Sequence, residues 1–210
     1  MIHLVTYENI ADYAALIEEM FLWRHRIYVE QRGWKEIARP DCREIDQFDT
    51  RDAVYLIAVD DSGGFTGSVR LNPSSKPTLL SEVFPHLILR GELLNSPKVW
   101  DWTRLFVIPD KRRADARNPV LEDLFIGSME WAVGEELEAI VGLAEIFWLP
   151  KLLKMGWVVD PLGLPSLIEG EQWVPFRCEV SPEILAATQR SFQRTDASVF
   201  ANGSGLKIAS

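Results

Sequence analysis

The segment VWDWTRLFV, Val99 to Val107, constrains this chain more than any other stretch. Its aromatic and β-branched residues read as a buried strand, and Pro109 stops it. Yet Asp101 and Arg104 stand inside it. Stripping one partner from a buried ion pair costs about 3–5 kcal/mol, so the fold must supply partners for both. Residues three apart on a regular strand face opposite ways. For Asp101 and Arg104 to reach one cleft, the strand must bulge between them, near Trp102–Thr103.

The elements around this strand read as an α/β chain. From Glu8 onward Ile10, Tyr13, Ile17, Met20, Phe21, Ile27 and Tyr28 recur at helical spacing, and Arg24 stands on that stripe where leucine is expected. A long-stemmed arginine can snorkel from such a face. A charged, irregular loop follows, RPDCREIDQFDTRD. Val54–Asp60 and Phe65–Leu71 form a hairpin through DSGG, and SEVFPHLI gives a short helix. Beyond the opening strand lie a basic loop, an amphipathic helix from Asn118 and a buried strand, Ala139–Ile146. Next come a short helix ended by Gly156, a strand in QWVPFRCEV and a last helix opened by Pro182. That order predicts a three-layer α/β sandwich with a mixed sheet and at least one crossover helix.

Composition bounds the function. With 210 residues, 47% hydrophobic, the chain reads as a single domain over 1–210 with a fraying tail after about Phe200. A net charge of −9 argues against nucleic-acid and membrane partners. Cys42 and Cys178 lack metal spacing and read as cytosolic thiols; the start MIHLVTYENI is no signal peptide, and a cytoplasmic protein is expected. His3, His25 and His86 have no spacing for a metal or a nucleophilic triad.

Arg24, Asp46, Asp49, Arg70, Asp101 and Arg104 each have an ordinary explanation alone. Together they place arginines and aspartates at strand ends and on a core-facing stripe. Paired burial of this kind is costly, so a ligand site is the better reading. The mixture suits a zwitterionic ligand, with carboxylates for an amine or sulfonium and arginines for a carboxylate.

The order Arg24, Tyr28, Trp34, then E-I-D-x-x-D with Asp46 and Asp49, then Arg70 and D-W-T-R-L-F-V resembles the acyl-homoserine lactone synthases, the autoinducer synthases of bacterial quorum sensing. The resemblance spans roughly residues 1 to 160. It implies a splayed sheet similar to the Gcn5-related N-acetyltransferases, with Lys98–Ile108 and Ala139–Ile146 as the splayed pair. It also implies a reaction between S-adenosylmethionine and an acyl thioester, both substrates, with no further cofactor or metal. The amine is acylated, then the carboxylate closes the lactone and expels methylthioadenosine. Arg24, Tyr28, Trp34, Asp46, Asp49, Arg70, Thr103 and Arg104 are thereby placed in the S-adenosylmethionine pocket or its ion-pair network, and Asp101, Arg104 and Arg70 at the chemistry. Asp101 stands where the family usually has glutamate, and Tyr28 where phenylalanine is usual. The shorter acid is retracted by roughly 1.5 Å, which favours relay through a water over direct proton abstraction; a structural Asp101 paired with a cleft arginine is the alternative. An α-amino group with a pKa of roughly 7.7–8.0 needs only a weak base.

The acyl pocket is expected between the splayed strands, lined by Trp102, Phe106, Met129, Leu143, Ala144, Phe147 and Trp148. Their bulk favours a short, branched or aromatic acyl chain. Members that prefer 3-oxo chains resemble one another in a threonine where this chain has Ala144, which favours an unsubstituted one. Lys111, Arg112, Arg113 and Arg117 form a basic patch for the phosphates of coenzyme A or for an acyl-carrier protein. The acidic net charge opposes attraction to the acidic carrier and favours acyl-CoA. Two other readings compete: an N-acyltransferase of the same fold acting on another amine, and a non-catalytic ligand sensor.

Overall fold

One mixed sheet organises the protein in a computed structural model that describes residues 1–90, 95–109, 118–194 and 198–200. Its strands are β1 (Ile2–Val5), β2 (Val54–Val59), β3 (Phe65–Pro73), β4 (Val99–Val107), β5 (Ala139–Glu145), β6 (Val159–Pro161), β7 (Ser166–Ile168) and β8 (Glu171–Glu179). They run in the order β1-β2-β3-β4-β5-β8-β6, with β7 also paired to β8. Only β4 and β5 are parallel neighbours; the other pairs are antiparallel. The α/β sandwich expected from the sequence is therefore present. The sequence reading left out β1, which pairs with β2 from Ile2↔Ala58 to Val5↔Tyr55, and the short strands β6 and β7.

Helices cover both faces. On the first lies α1 (Ala14–Arg24), whose buried Ile17, Met20 and Arg24 keep helical spacing; Ile17 and Met20 pack on Val5, Tyr55 and Ile57. The helix then widens into a π-helical turn, His25–Gln31, where the N–H of Arg32 reaches back five residues to the carbonyl of Ile27. On the second face lie α3 (Pro119–Gly134) and α5 (Pro182–Ser191), with α4 (Trp148–Lys154) beside them. Asn118 caps α3 by accepting from the N–H groups of Val120 and Leu121, and Pro119 sits where no N–H is needed. SEVFPHLI is not one helix: α2 (Leu79–Glu82) starts earlier, and a 3₁₀ turn follows at Pro85–Leu87.

Register around β4 decides the site. β4 pairs with β5 only from Val99↔Ala139 to Asp101↔Val141. Beyond that point β4 stays with β3 and β5 stays with β8, so a wedge opens between Trp102 and Gly142. The splayed pair is the expected one. The bulge is also present, but displaced: Thr103 faces Arg70 and Phe106 faces Ser68, so one extra residue of β4 lies opposite Val69. Arg104 carries the irregularity itself, with φ +53°. As a result Trp100, Trp102, Leu105 and Val107 pack towards α3, while Asp101, Thr103, Arg104 and Phe106 face the α1 side.

Gly142 sets the apex of the wedge. A Cβ there would stand 2.9 Å from the carbonyl oxygen of Trp102 and 3.2 Å from the Phe176 ring, two neighbours that cannot swing aside. Gly142→Ala should therefore cost roughly 1–3 kcal/mol of stability, read from urea denaturation. A loss below the experimental error would mean that the strands separate freely at this point.

Candidate active site

On the α1 face, between two apolar clusters, six charged side chains form a closed network. Arg24 makes a bidentate pair with Asp49 (2.7 and 2.9 Å), and its Nε donates to Glu44. Arg70 makes a bidentate pair with Asp46 (2.6 and 3.0 Å), reaches Asp49 at 2.9 Å and donates from Nε to Thr103 at 3.1 Å. Arg104 binds Glu44 (2.8 and 3.2 Å) and Asp46 (2.9 Å). Arg24 and Glu44 are fully buried and Arg70 nearly so. Formal charges balance, three against three. Burial pushes the Glu44 carboxyl up, but Arg24 and Arg104 outweigh it and hold the group at about 2. Asp49 is likewise held well below the usual carboxylate range, against its burial, by Arg24 and Arg70.

The network also orders the irregular loop that carries its acids. The Asp46 side chain accepts from the N–H of Phe48, and Asp49 accepts from the N–H of Asp46 and from the Tyr55 hydroxyl. Asn72 donates to the carbonyl of Phe48, and the Glu44 N–H reaches the Phe21 carbonyl on α1. Glu44 was quoted in the E-I-D-x-x-D motif but given no role. Its glutamate sits among Asp41, Arg43 and Asp46 in a charged loop, and nothing in that composition marks it as buried.

Tyr28 reaches the bulged stretch of β4. Its hydroxyl donates to Leu105 O at 3.2 Å, and its ring stacks on Trp34 with centroids 5.2 Å apart. The Arg104 guanidinium sits 5.3 Å over the same ring. Trp34, half-buried, also meets Trp173 on β8, and Arg32 pairs with Glu145 at the end of β5. The segment after the π-helical turn therefore reaches the far arm of the wedge.

Asp101 stands apart from the network, correcting the expectation that six residues including this aspartate neutralise one another. Glu44, not Asp101, is the third acid. Among the described residues Asp101 makes no ion pair, so pairing with a cleft arginine is also excluded. Its Oδ2 accepts from the N–H of Leu80 at 3.0 Å, while Oδ1 is buried with no hydrogen-bond partner. Burial pushes this carboxyl up to about 6, despite the opposing pull of the Leu80 N–H, the Thr78 hydroxyl and the charges of Arg70 and Arg104. A buried acid with that proton affinity and a free oxygen is suited to accept a proton near neutral pH.

The seven residues expected to line an acyl pocket do not all meet. Trp102, Met129, Ala144 and Trp148 share the α3 face, with Phe125 and Trp157 completing an aromatic group. The Trp102 indole N–H donates to Ser128 at 3.0 Å. Leu143 alternates with Ala144 and packs on the opposite face beside Leu80 and Val99. Phe106 packs against Tyr28 and Phe65, because the extra residue at the bulge turns it over. Phe147 is exposed at the start of α4. Lys111, Arg112, Arg113 and Arg117 lie outside the described residues.

Removing Glu44 should unbalance the network. Glu44→Gln leaves Arg24 and Arg104 facing a neutral amide and should cost about 3–5 kcal/mol at neutral pH. The folded carboxyl titrates below its ordinary value of 4.5, so its contribution is complete above pH 4.5 and is lost as the pH falls towards 2. Urea denaturation should therefore show the gap between parent and variant closing across that interval. A gap independent of pH would contradict the assigned pairing.

Comparison with known proteins places this geometry in a family. The autoinducer synthase family model matches residues 8–185. An isovaleryl-homoserine lactone synthase from Bradyrhizobium diazoefficiens is 35% identical, covering 100% of this chain and 98% of the relative. An acyl-homoserine-lactone synthase from Rhizobium etli is 29% identical over 78% of this chain and 77% of its own. Among solved structures, the CoA-dependent acyl-homoserine lactone synthase BjaI with SAM and isopentyl-CoA superposes with a TM-score of 0.86 at 33% identity, covering 96% of this chain and 92% of that one. The fold extends further: an acyl-CoA N-acyltransferase from Pseudomonas aeruginosa superposes with a TM-score of 0.54 at 14% identity, over 84% of this chain and 98% of that one. The chain belongs to the autoinducer synthases, the family of acyl-homoserine-lactone synthase enzymes.

Proposed function

We propose that the chain makes an N-acyl-L-homoserine lactone from S-adenosylmethionine and a short, branched acyl-CoA. The observation that carries this reading is Asp101: a buried carboxyl with one unpartnered oxygen, on β4 where the wedge begins. The acyl thioester would enter the wedge, where β4 from Trp102 onward has no pairing to β5. Asp101, directly or through a water, takes a proton from the methionyl amine. The amine attacks the thioester carbon, the C–N bond forms, the C–S bond breaks and coenzyme A leaves as its thiol. The methionyl carboxylate then attacks the γ-carbon; a C–O bond closes the ring and the carbon–sulfonium bond breaks to give methylthioadenosine. Sulfonium is a good leaving group, so ring closure needs orientation above all. Trp34 and the Arg104 side of the network are the residues proposed to supply it.

The acyl donor follows from two supports. The aromatic group of Trp102, Phe125, Trp148 and Trp157 limits chain length on the α3 face. The relatives named for isovaleryl and isopentyl donors, one of them CoA-dependent, point the same way.

Incubation with S-adenosylmethionine and a series of acyl-CoAs, read by mass spectrometry, should yield methylthioadenosine and lactone in equal amounts, fastest with isopentyl-CoA. No methylthioadenosine with any donor would overturn the reading. Because Asp101 must be ionised to act, kcat should rise with pH through a midpoint near 6. Asp101→Asn should lower kcat by about 10²–10⁴ and abolish that limb.

A further inference from the structure

We infer that Arg32 is a positioning residue for Trp34: paired with Glu145 on the far arm of the wedge, it fixes the indole between the two arms on the α1 face. This rests on the reading of Trp34 as a residue that orients S-adenosylmethionine for ring closure. The segment over residues 28–34 is attached to both arms. At one end the Tyr28 hydroxyl donates to the Leu105 carbonyl of β4 at 3.2 Å. At the other the Arg32 guanidinium pairs with Glu145, the last residue of β5. β4 and β5 are not paired at this level, because their ladder ends at Asp101↔Val141. Side chains of one short segment therefore join two strands that the backbone leaves apart.

Local geometry brings Trp34 back over this span. Gly33 takes φ +79°, which a glycine adopts without a Cβ clash, and the Trp34 N–H returns to the Tyr28 carbonyl at 3.0 Å. The indole stacks on the Tyr28 ring with centroids 5.2 Å apart and meets Trp173 at 6.0 Å. Trp173 is the β8 partner of Glu145, so these two residues stand side by side on the far arm. The Arg32 guanidinium lies 5.7 Å from the centre of the Trp34 ring. One cation thus touches both Glu145 and the indole. The Trp34 side chain makes no hydrogen bond among the described residues, so its orientation depends on the two rings and the guanidinium around it.

Burial gives the ion pair a direction. Glu145 is 8% exposed, and Arg32 is the one side chain that pairs with it among the described residues. The Arg32 side chain is 38% exposed and has water as an alternative partner. The buried carboxylate is therefore the fixed point, and the arginine with its segment is what it holds. The consequence for the reaction falls on one step. Ring closure breaks the carbon–sulfonium bond as the carboxylate oxygen attacks the γ-carbon, so it depends on how the sulfonium is oriented. An aromatic face attracts a cation of that kind. Acylation of the amine leaves the sulfonium untouched. Releasing the indole should slow the second step and spare the first.

The test is a single-turnover reaction of the full chain, in excess over S-adenosylmethionine, with isopentyl-CoA. Mass spectrometry follows coenzyme A thiol, N-acyl-S-adenosylmethionine and methylthioadenosine over time. Arg32→Gln and Glu145→Gln should each slow methylthioadenosine formation roughly tenfold while thiol release keeps its parental rate, and N-acyl-S-adenosylmethionine should accumulate between the two. The double variant Arg32→Gln/Glu145→Gln removes the pair without stranding a buried carboxylate, so it serves even if Arg32→Gln does not fold. It should match the single variants, because both ends belong to one contact. Trp34→Ala should slow ring closure by at least as much, and adding Glu145→Gln to it should slow it no further. A purely structural role would lower both products alike. Equal slowing of both products in the pair variants, parental rates in all of them, or further slowing when Glu145→Gln is added to Trp34→Ala would overturn the inference. A parent that forms no methylthioadenosine, or parental ring closure in Trp34→Ala, would instead overturn the reading beneath it.

Discussion

The three-arginine, three-carboxylate network is the constraint on which the rest of the α1 face depends. Its members come from the end of α1, an irregular loop, β3 and β4. Desolvating six charges is expensive, and well-packed apolar residues often stabilise such a site at least as well. Geometry is what the network adds. Bidentate arginine–carboxylate pairs fix distances and planes together, so the loop over residues 44–49 is held without a strand or helix of its own. The same pairs hold Arg104 at a positive φ, a conformation that a non-glycine residue keeps only when its surroundings over-determine it.

Charge balance within the network gives Asp101 its chemistry. A carboxylate paired with arginine, like Glu44, is pulled down to about 2 and binds protons too weakly to serve as a base. Asp101 lies two residue pairs from Arg70 along the sheet yet makes no ion pair with it, because Asp46, Asp49 and Thr103 already occupy that guanidinium. Burial therefore dominates at Asp101 and raises its proton affinity. One face thus holds carboxylates of opposite proton affinity, separated by which of them the arginines reach.

Much of this was legible in VWDWTRLFV. The charges inside a core strand required partners, and the odd spacing of Asp101 and Arg104 required a bulge. Both are present. Pattern alone could not place the extra residue, since an insertion at Thr103 and one at Arg104 satisfy the same parity; the positive φ at Arg104 is set by tertiary pairing. That displacement carried errors downstream. Phe106 was assigned with Trp102, and the bulge between them turns it to the opposite face. Leu143 and Ala144 cannot both line one pocket on a regular strand, a limit that alternation itself expresses. Glu44 was hidden because burial of a glutamate depends on Arg24 and Arg104, which are 20 and 60 residues away.

Tyr28 and Asp101, the two positions at which the resemblance implies other residues, look unrelated in sequence, but the bulged strand links them. The Tyr28 hydroxyl donates to the Leu105 carbonyl in the bulged stretch. That hydrogen bond ties the phenol to the irregular segment that carries Arg104. Asp101 stands at the other end of the same segment, and its carboxylate accepts from the Leu80 N–H. Each side chain is met by a backbone group, one on β4 and one beside it. The strand's path is therefore held at both ends of the stretch between Asp101 and Leu105, the interval that has left β5 and faces the wedge. The side chains at the two ends of this stretch thereby fix where the opening begins and how the bulged segment leaves it.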